Sequence, residues 1–334
     1  MTRSFESRRK FMERALGLAE KGRGLTYPNP MVGALLARGS KVIAEGYHRF
    51  FGAPHAEAKA IRKAGNKASS TCLYVTLEPC STFGKTPPCT RLIIEKGIRE
   101  VVIAAEDPNP AHRGRGIAEL RRNGVRVSVG LLRNEAERQN EVFFKWMRTG
   151  MPFVILKMAQ TLDGKIAASS GASRWITSKE SRNKVHAWRA ENQAVLVGAR
   201  TVLLDDPRLR SGDDARQPVR VILDPFLRIP LNRKIFKFKD GKTLMVCGES
   251  CFKKNYERYH RREIALLAVP IRNRRLDLKS LLEKLGTMGI ISVLIEGGGE
   301  TAADFLEAGL VDKVHFFIAP KILGGRAAKT SVEG

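Results

Sequence analysis

Residues 72–91 read CLYVTLEPCSTFGKTPPCTR. The first six are largely apolar and include β-branched and aromatic side chains, which is typical of a strand. Cys80 and Cys89 lie in the proline- and glycine-rich loop that follows, and a helix is predicted over residues 90–96. The stretch therefore predicts a strand, a loop with two cysteines and a helix, which together form one unit of an α/β fold.

Strands and helices alternate on both sides of this stretch, which predicts an α/β layered fold for the first half of the chain. The pattern restarts near residue 150, where we place a domain boundary, and the second half is again α/β without repeating the first. Predicted strands cover 32–37, 41–46, 101–105, 125–129, 153–158, 194–198, 219–223, 243–246 and 290–295, and predicted helices cover 11–21, 55–64, 115–123, 179–190 and 301–308.

Length and composition indicate a soluble protein of two domains. The chain has 334 residues, of which 43% are hydrophobic and 28% charged. Its longest apolar run, residues 264–271, is far shorter than the roughly 18 residues of a membrane span. The N-terminus resembles neither a secretory signal nor a transit peptide. The chain has five cysteines, and an odd number in a chain of this length argues against a disulfide framework. We therefore expect a cytoplasmic protein with no membrane partner.

The net charge of +25 bears on the class of ligand. Lysine and arginine exceed acidic residues in both halves, whereas a nucleic-acid-binding arm would concentrate the charge in one place. The even spread of the positive charge over both halves favours anionic small ligands on a generally basic protein, although composition alone leaves nucleic acid open as an alternative. Basic clusters at 233–242 and 253–275 are interpreted as solvated surface.

His55, Cys80 and Cys89 form a candidate metal site. One imidazole and two thiolates are a three-ligand zinc set that leaves a fourth position for water, whose pKa zinc would lower to about 7. Glu57 lies two residues after the histidine and is the predicted proton shuttle. The order of these residues matches zinc nucleobase deaminases, but eight residues separate the cysteines where that signature has two.

A second motif, EGGGETA at 296–302, follows a predicted strand and begins a predicted helix. Glycines allow close approach to a phosphate, and a helix N-terminus supplies N–H donors. A dinucleotide fingerprint needs an acidic residue about twenty positions on, where this chain has Ala319. We therefore predict a phosphate-binding turn outside a Rossmann domain.

Residues 26–33 (TYPNPMVG), 46–57 (GYHRFFGAPHAE), 77–91 and 107–116 (DPNPAHRGRG) resemble the deaminase half of the bifunctional riboflavin-biosynthesis deaminase/reductases. The resemblance implies a cytidine-deaminase-like three-layer αβα domain over 1–148. It gives zinc to His55, Cys80 and Cys89, and acid/base catalysis to Glu57. It also implies substrate contacts from three further residues, with His48 and Lys85 toward the phosphate end: Asn29, His48 and Lys85. Many members have a histidine where this chain has Thr82 or Phe83.

Residues 153–177, 194–209 and 293–325 resemble the reductase half of the same family. This implies a dihydrofolate-reductase-like α/β domain over 152–334 that uses NADPH to reduce a ribosyl to a ribityl chain. Lys157, at a strand end beside the cofactor segment, is a further candidate for a polar contact. The implied cofactor contacts are Ala159, Trp175, Thr201, Asp205 and Gly298. The implied substrate contacts are Ser173, Arg189, Leu209 and Glu296.

Two departures from the family pattern concern the reductase half. The family often has a phosphate-binding arginine where this chain has Gly212, so Arg208 or Arg210 would have to substitute. Members usually continue beyond the position of Gly334, so the C-terminus is expected to be short.

The sequence therefore predicts a bifunctional enzyme acting on phosphorylated pyrimidines, as a homo-oligomer and without nucleic acid. The alternatives are an enzyme with a working deaminase alone, because the C-terminus is short, and a nucleic-acid-acting zinc deaminase. The basic charge supports the second alternative, whereas the spacing of the cysteines and the Trp175 and Glu296 segments oppose it.

Overall fold

The computed structural model describes residues 5–83, 87–168 and 177–333. The chain divides into two compact units, Met1–Thr149 and Gly150–Gly334, and each contains one main β-sheet. None of the helices within these described ranges combines the length and the hydropathy that a bilayer-spanning segment needs.

The first unit has a five-stranded sheet flanked by helices. Its elements in chain order are α1 (Phe5–Glu20), β1 (Gly33–Arg38), β2 (Lys41–Tyr47), α2 (Ala56–Ala64), β3 (Cys72–Leu77), α3 (Cys89–Glu95), β4 (Glu100–Ala105), α4 (Arg115–Arg122), β5 (Arg126–Val129), α5 (Arg133–Gln139) and α6 (Glu141–Thr149). The strand order is β2-β1-β3-β4-β5. β1 is antiparallel to both of its neighbours, whereas β3, β4 and β5 are parallel, so their carboxyl ends share one edge of the sheet.

Side chains of β1 show how this sheet is covered on both faces. Ala34 and Leu36 pack in an apolar cluster with residues of α2, α3 and α4. Leu35 and Ala37 point the other way, into a cluster with residues of α1, α5 and α6. The unit is therefore a three-layer αβα sandwich, in agreement with the predicted fold class.

The second unit has a seven-stranded sheet in which every ladder is parallel. Its strand order is β11-β10-β9-β8-β14-β6-β15, and two short pairs, β7 with β16 and β12 with β13, lie outside it. Its elements are β6 (Phe153–Thr161), β7 (Lys165–Ala167), α7 (Lys179–Glu191), β8 (Ala194–Gly198), α8 (Ala199–Asp205), β9 (Val219–Leu223), β10 (Thr243–Cys247), α9 (Glu249–His260), β11 (Ala265–Ala268), β12 (Ile271–Arg272), β13 (Arg275–Leu276), α10 (Leu278–Thr287), β14 (Ser292–Ile295), α11 (Gly299–Glu307), β15 (Lys313–Ala319) and β16 (Lys329–Thr330).

Helices cover both faces of this sheet as well. Consecutive residues of β8 point to opposite faces of the sheet, so Leu196 and Val197 enter two separate apolar clusters. The first cluster includes Leu281 of α10 and Phe305 of α11, and the second includes Tyr259 of α9. A parallel sheet buried on both faces opens at the carboxyl ends of its strands, which is where ligands of such folds bind.

Candidate functional site

Three elements bring the predicted metal ligands together. His55 is the N-cap of α2, Cys80 follows β3, and Cys89 is the first residue of α3. His55 Nδ1 lies 3.5 Å from Cys80 Sγ and 3.4 Å from Cys89 Sγ. The three ligand atoms all lie within 4.8 Å of one another. One imidazole nitrogen and two sulfurs are the ligands that zinc prefers, so this donor set fits the predicted ion.

Local electrostatics favour the ligating form of one thiol. Hydrogen bonding with the Cys89 thiol and with His55 lowers the pKa of Cys80 to about 4. The same contact with Cys80 raises the pKa of His55 to about 9. Because the thiolate is the form that binds metal, Cys80 is prepared as a ligand by its neighbours.

Glu57 lies beside these ligands in the first turn of α2 and is 3% exposed. Burial raises the pKa of its carboxyl to about 7, and its side chain hydrogen-bonds with Cys89. A carboxyl that titrates near neutrality is suited to accepting and returning a proton. This environment is the one that the predicted proton shuttle requires.

Asn29 and His48 form a pair next to the metal ligands. Asn29 Nδ2 lies 3.3 Å from His48 Nε2, and the His48 ring meets the His55 ring edge-on with 5.7 Å between centroids. His48 is 3% exposed, and burial lowers its pKa. His48 is thus a buried imidazole beside a metal ligand, and its predicted contact with the phosphate end of the substrate stays a prediction. Lys85 lies outside the described residues.

Glu78 is a structural part of the site that the sequence analysis missed. Its carboxylate is 6% exposed and holds the loop after β4 and the start of α4 against the end of β3. It accepts four backbone N–H groups, from Asp107 (3.1 Å), Gly114 (3.0 Å), Gly116 (2.9 Å) and Ile117 (3.3 Å). Since Glu78 directly precedes Pro79-Cys80, these bonds fix the start of the cysteine loop. The signal was an acidic residue at the end of an apolar strand.

Asn140 is a second structural residue of the site that the sequence analysis missed. Its Nδ2 donates to the Met31 carbonyl at 2.9 Å, and its Oδ1 accepts the Met31 N–H at 2.8 Å. The side chain is buried at the junction of α5 and α6. By holding Met31, it fixes the segment that carries Asn29.

The second unit has a cavity of about 450 Å³, within the usual size of small-molecule sites. It brings together most of the reductase-half residues predicted from the sequence. The predicted residues in its wall are Lys157, Ala159, Arg189, Thr201, Asp205, Glu296 and Gly298. The wall also contains residues that were not predicted: Met158, Ile166, Thr177, Arg182, Val185, His186 and Gly297. Ser173 and Trp175 lie outside the described residues.

An ion pair dominates the polar wall of this cavity. Arg189 Nε and Nη2 donate to the two carboxylate oxygens of Glu296 at 2.6 and 2.8 Å, and both side chains are largely buried. Burial acts to raise the pKa of Glu296, but Arg189 and Lys157 outweigh it and hold this pKa below its usual value. Burial lowers the pKa of Lys157. The cavity therefore contains a fixed carboxylate between two cations.

The glycine turn forms another part of the wall. Gly298 is the N-cap of α11, and its N–H donates to Thr201 Oγ1 at 3.2 Å. A helix N-terminus approached by glycines suits the phosphates of a nucleotide cofactor. The residues present therefore fit the predicted NADPH.

Leu209 and the two arginines proposed to replace the family arginine lie outside the cavity wall that the structure describes. The Leu209 side chain is 4% exposed and packs in the core, so it does not line the cavity. The Arg210 guanidinium bonds to Asp214 at 2.6 Å and lies 4.8 Å from the Phe238 ring centroid. Neither Arg208 nor Arg210 is among the described residues of the cavity wall. The expectation that one of them replaces the family arginine is therefore not supported by their positions.

Comparisons with known proteins match both halves of the chain. The family model for the cytidine and deoxycytidylate deaminase zinc-binding region matches residues 5–105, and that for the RibD C-terminal domain matches residues 152–334. Riboflavin biosynthesis protein RibD of Aquifex aeolicus is 44% identical over 318 residues, which cover 95% of this chain and 88% of the relative. RibD of Escherichia coli is 40% identical and covers 95% and 89%, respectively.

Solved structures agree over nearly the whole chain. Form 1 of Acinetobacter baumannii RibD has a TM-score of 0.90 at 35% identity and covers 99% of this chain and 91% of its own. A Thermotoga maritima protein described as a diaminohydroxyphosphoribosylaminopyrimidine deaminase/5-amino-6-(5-phosphoribosylamino)uracil reductase has a TM-score of 0.85 at 39% identity, covering 98% and 90%.

These matches confirm the predicted fold class, the hydrolase and oxidoreductase activities, and the cofactors zinc and NADPH. They also confirm the resemblance on which those predictions rested, since it now extends over more than nine-tenths of the chain. The chain belongs to the RibD family of bifunctional riboflavin biosynthesis proteins, with a deaminase domain followed by a reductase domain.

Proposed function

We propose that the two units catalyse consecutive reactions on one small molecule. Residues 1–148 would hydrolytically deaminate a diaminopyrimidinone ribosylamino 5'-phosphate. Residues 152–334 would then reduce its ribosyl group to a ribityl chain with NADPH. The observation that carries the proposal is the convergence of His55, Cys80 and Cys89 beside the buried carboxyl of Glu57.

In the first unit, His55, Cys80 and Cys89 hold the zinc ion. Zinc, when bound, supplies a Lewis acid that makes water nucleophilic near neutral pH. Glu57 Oε accepts a proton from the attacking water and delivers one to the departing amino group, so that ammonia leaves. Asn29, paired with His48, hydrogen-bonds the pyrimidine and orients the carbon that is attacked.

In the second unit, the residues divide between the two ligands. Ala159, Thr201, Asp205 and Gly298 hold the cofactor, which supplies the hydride when bound. Arg189 and Glu296 orient the ribosyl end of the substrate, and Ser173 and Leu209 are the remaining proposed substrate contacts.

Delivery of a hydride to C1′ of the ribosyl group accompanies cleavage of the C1′–O4′ ring bond, and the released ring oxygen takes up one proton to become a hydroxyl. Lys157 lies in the cavity wall close enough to Glu296 and Arg189 to interact electrostatically with both. Burial lowers its pKa, which makes its ammonium a better proton donor. We assign this proton to Lys157 Nζ.

The partners follow from the same chemistry. Both ligands are small and phosphorylated, which accounts for a strongly basic chain without nucleic acid. None of the five cysteines, all of which lie in the described parts of the chain, forms a disulfide, which is in keeping with a cytoplasmic enzyme. A homo-oligomer is proposed on the family resemblance alone.

The zinc-loaded full chain tests this proposal in a chromatographic assay. Given the diaminopyrimidinone substrate alone, it should release ammonia and accumulate the deaminated ribosyl product. Added NADPH should be consumed as that product becomes the ribityl compound. Accumulation of the deaminated product in the presence of NADPH would contradict the second activity. Salt-sensitive deamination of RNA or DNA, without turnover of the small substrate, would contradict both.

A further inference from the structure

Residues 321–333, which we call the strap, connect two parts of the cavity wall of the second unit. They run from the turn between β6 and β7 to the start of α11. β7 contributes Ile166 to the wall, and Gly298 at the start of α11 contributes another part. The strap itself is not among the described residues of the wall. Its effect on a bound ligand must therefore pass through the two elements that it joins.

Asp163, in the turn between β6 and β7, binds the first end of the strap. Its Oδ1 accepts the Leu323 N–H at 3.1 Å, and its Oδ2 accepts the Gly324 N–H at 2.8 Å. The Thr161 hydroxyl donates to Oδ1 at 2.5 Å and so fixes the orientation of the carboxylate. The bond from Thr161, followed by that from Gly324, lowers the pKa of Asp163 to about 2. The carboxylate is therefore ionised at neutral pH, and an ionised acceptor makes the stronger hydrogen bonds.

The middle of the strap pairs with β7. β16 (Lys329–Thr330) is antiparallel to β7 (Lys165–Ala167). The Ser331 N–H then donates to the Gly164 carbonyl at 3.2 Å. Ile166 is the central residue of β7, so its position in the cavity wall depends on this pairing.

Gly299, the first residue of α11, receives the other end of the strap. Its carbonyl accepts the Glu333 N–H at 3.1 Å. A Cβ on Gly299 would lie 2.7 Å from the Thr330 carbonyl oxygen and 2.6 Å from Glu333 Cγ, so a side chain here would displace the strap. At Gly298 the nearest described atom to such a Cβ is Thr201 Oγ1, at an ordinary 3.7 Å. The two glycines therefore differ, because Gly299 makes room for the strap and Gly298 lines the cavity.

We propose that Asp163 is a positioning residue for NADPH, because it anchors the strap that holds Ile166 and Gly298 in their relative positions. Walls that are already joined lose less conformational entropy when a ligand binds between them, which strengthens binding. The inference rests on the proposed function, because it takes the ligand at the glycine turn to be NADPH. Asp163 is not among the described residues of the wall, so it acts through the strap.

Direct binding of NADPH to the zinc-loaded full chain, followed by cofactor fluorescence without substrate, gives the first test. Asp163→Ala removes both acceptors and should weaken NADPH binding about tenfold. Asp163→Asn keeps one acceptor oxygen and should bind NADPH within about threefold of the wild type.

Asp277→Ala is the matched control for these titrations. Asp277 also accepts a backbone N–H, from Ser280 at 3.0 Å, but it does so at the start of α10. No residue of α10 is among the described residues of the cavity wall. The control should therefore bind NADPH as the wild type does, even where it unfolds at a lower temperature.

Hydrogen exchange measured by mass spectrometry follows the strap itself. Peptides that cover 321–333 should exchange faster in Asp163→Ala, because the N–H groups of Leu323 and Gly324 lose their acceptor. Since binding and order of the strap are linked, saturating NADPH should slow exchange of the same peptides in the wild type. Thermal unfolding checks that the second unit of each variant remains folded. Unchanged exchange over the strap in Asp163→Ala would overturn the inference.

Steady-state kinetics separate the cofactor from the substrate. Asp163→Ala should raise the KM for NADPH about tenfold, leave the KM for the deaminated substrate within about twofold, and leave deamination unchanged. Wild-type affinity for NADPH in Asp163→Ala, or an equal loss in Asp277→Ala, would show that the strap does not position the cofactor. If the wild type itself binds no NADPH, the proposed function is contradicted as well. If the wild type and Asp163→Ala bind NADPH alike, the inference alone fails.

Discussion

Glu78→Gln tests how the cysteine loop is held. The wild-type carboxylate accepts two N–H groups on each oxygen: Asp107 and Gly114 on Oε2, and Gly116 and Ile117 on Oε1. Glutamine replaces one oxygen by an NH₂ group, so two acceptor interactions are lost and a donor faces donors. A hydrogen bond to a charged group contributes about 1.5–3 kcal/mol. Allowing for relaxation, we expect the free energy of unfolding of the first unit to fall by about 3 kcal/mol.

Hydrogen exchange measured by mass spectrometry locates this effect. Peptides that cover 106–118 should exchange faster in Glu78→Gln, because the freed N–H groups belong to that segment. Denaturant titration gives the free energy, and deamination should weaken while NADPH-dependent reduction is kept. Glu135→Gln, which changes an exposed carboxylate on α5, should alter stability by less than about 0.5 kcal/mol. A similarly small effect in Glu78→Gln, with unchanged exchange over 106–118, would refute the reasoning.

Two further substitutions separate the units. Gly116→Ala places a Cβ 2.1 Å from the Pro79 carbonyl oxygen, and this clash can be relieved only by moving the backbone. The variant should lose about 1–3 kcal/mol in stability, and its rate of deamination should fall while its rate of NADPH oxidation stays unchanged. A rate of deamination equal to that of the wild type would contradict this. Glu296→Gln leaves Arg189 without its carboxylate and should cost about 3–5 kcal/mol near pH 7. Because the folded pKa of Glu296 lies below 4.5, its stabilisation is present above pH 4.5 and is lost as the pH falls through the folded value. Unfolding titrations should therefore converge for wild type and variant at acidic pH; a constant difference would contradict the shift.

The sequence was most informative where chemistry and local pattern coincide. His55 and Cys89 begin helices and Cys80 follows a strand, so residue type, spacing and element boundaries identified the metal site together. The buried strands were also predictable, because apolar runs of four to six residues bounded by turns carry a strong signal.

Other features depend on contacts between distant segments. Glu78 contacts residues up to 39 positions away, and Asn140 contacts Met31 at a separation of 109. The partners in such contacts cannot be identified from a local pattern, even though the position of Glu78 at the end of an apolar strand is itself a local signal. The burial of His48 beside His55 likewise results from a contact between segments and not from a local pattern.

Several elements were missed for a local reason. α5 has the sequence RNEAERQ, with one buried residue, so its apolar periodicity is too weak to indicate a helix. Strand β15 at the sheet edge is only partly buried, and its alternation was hidden by the adjacent Phe316 and Phe317. The basic stretch after Ser250 forms much of α9, which buries little besides Tyr259.

The most direct test of two independent sites on one chain is metal content combined with both half-reactions in Glu57→Gln. Glutamine keeps the shape of the side chain and removes the proton-accepting carboxylate. The account predicts about one zinc per chain, as in the wild type, with deamination abolished and NADPH-dependent reduction retained. Loss of zinc from the variant would show that Glu57 is a ligand, and loss of reduction would show that the two reactions do not have separate sites.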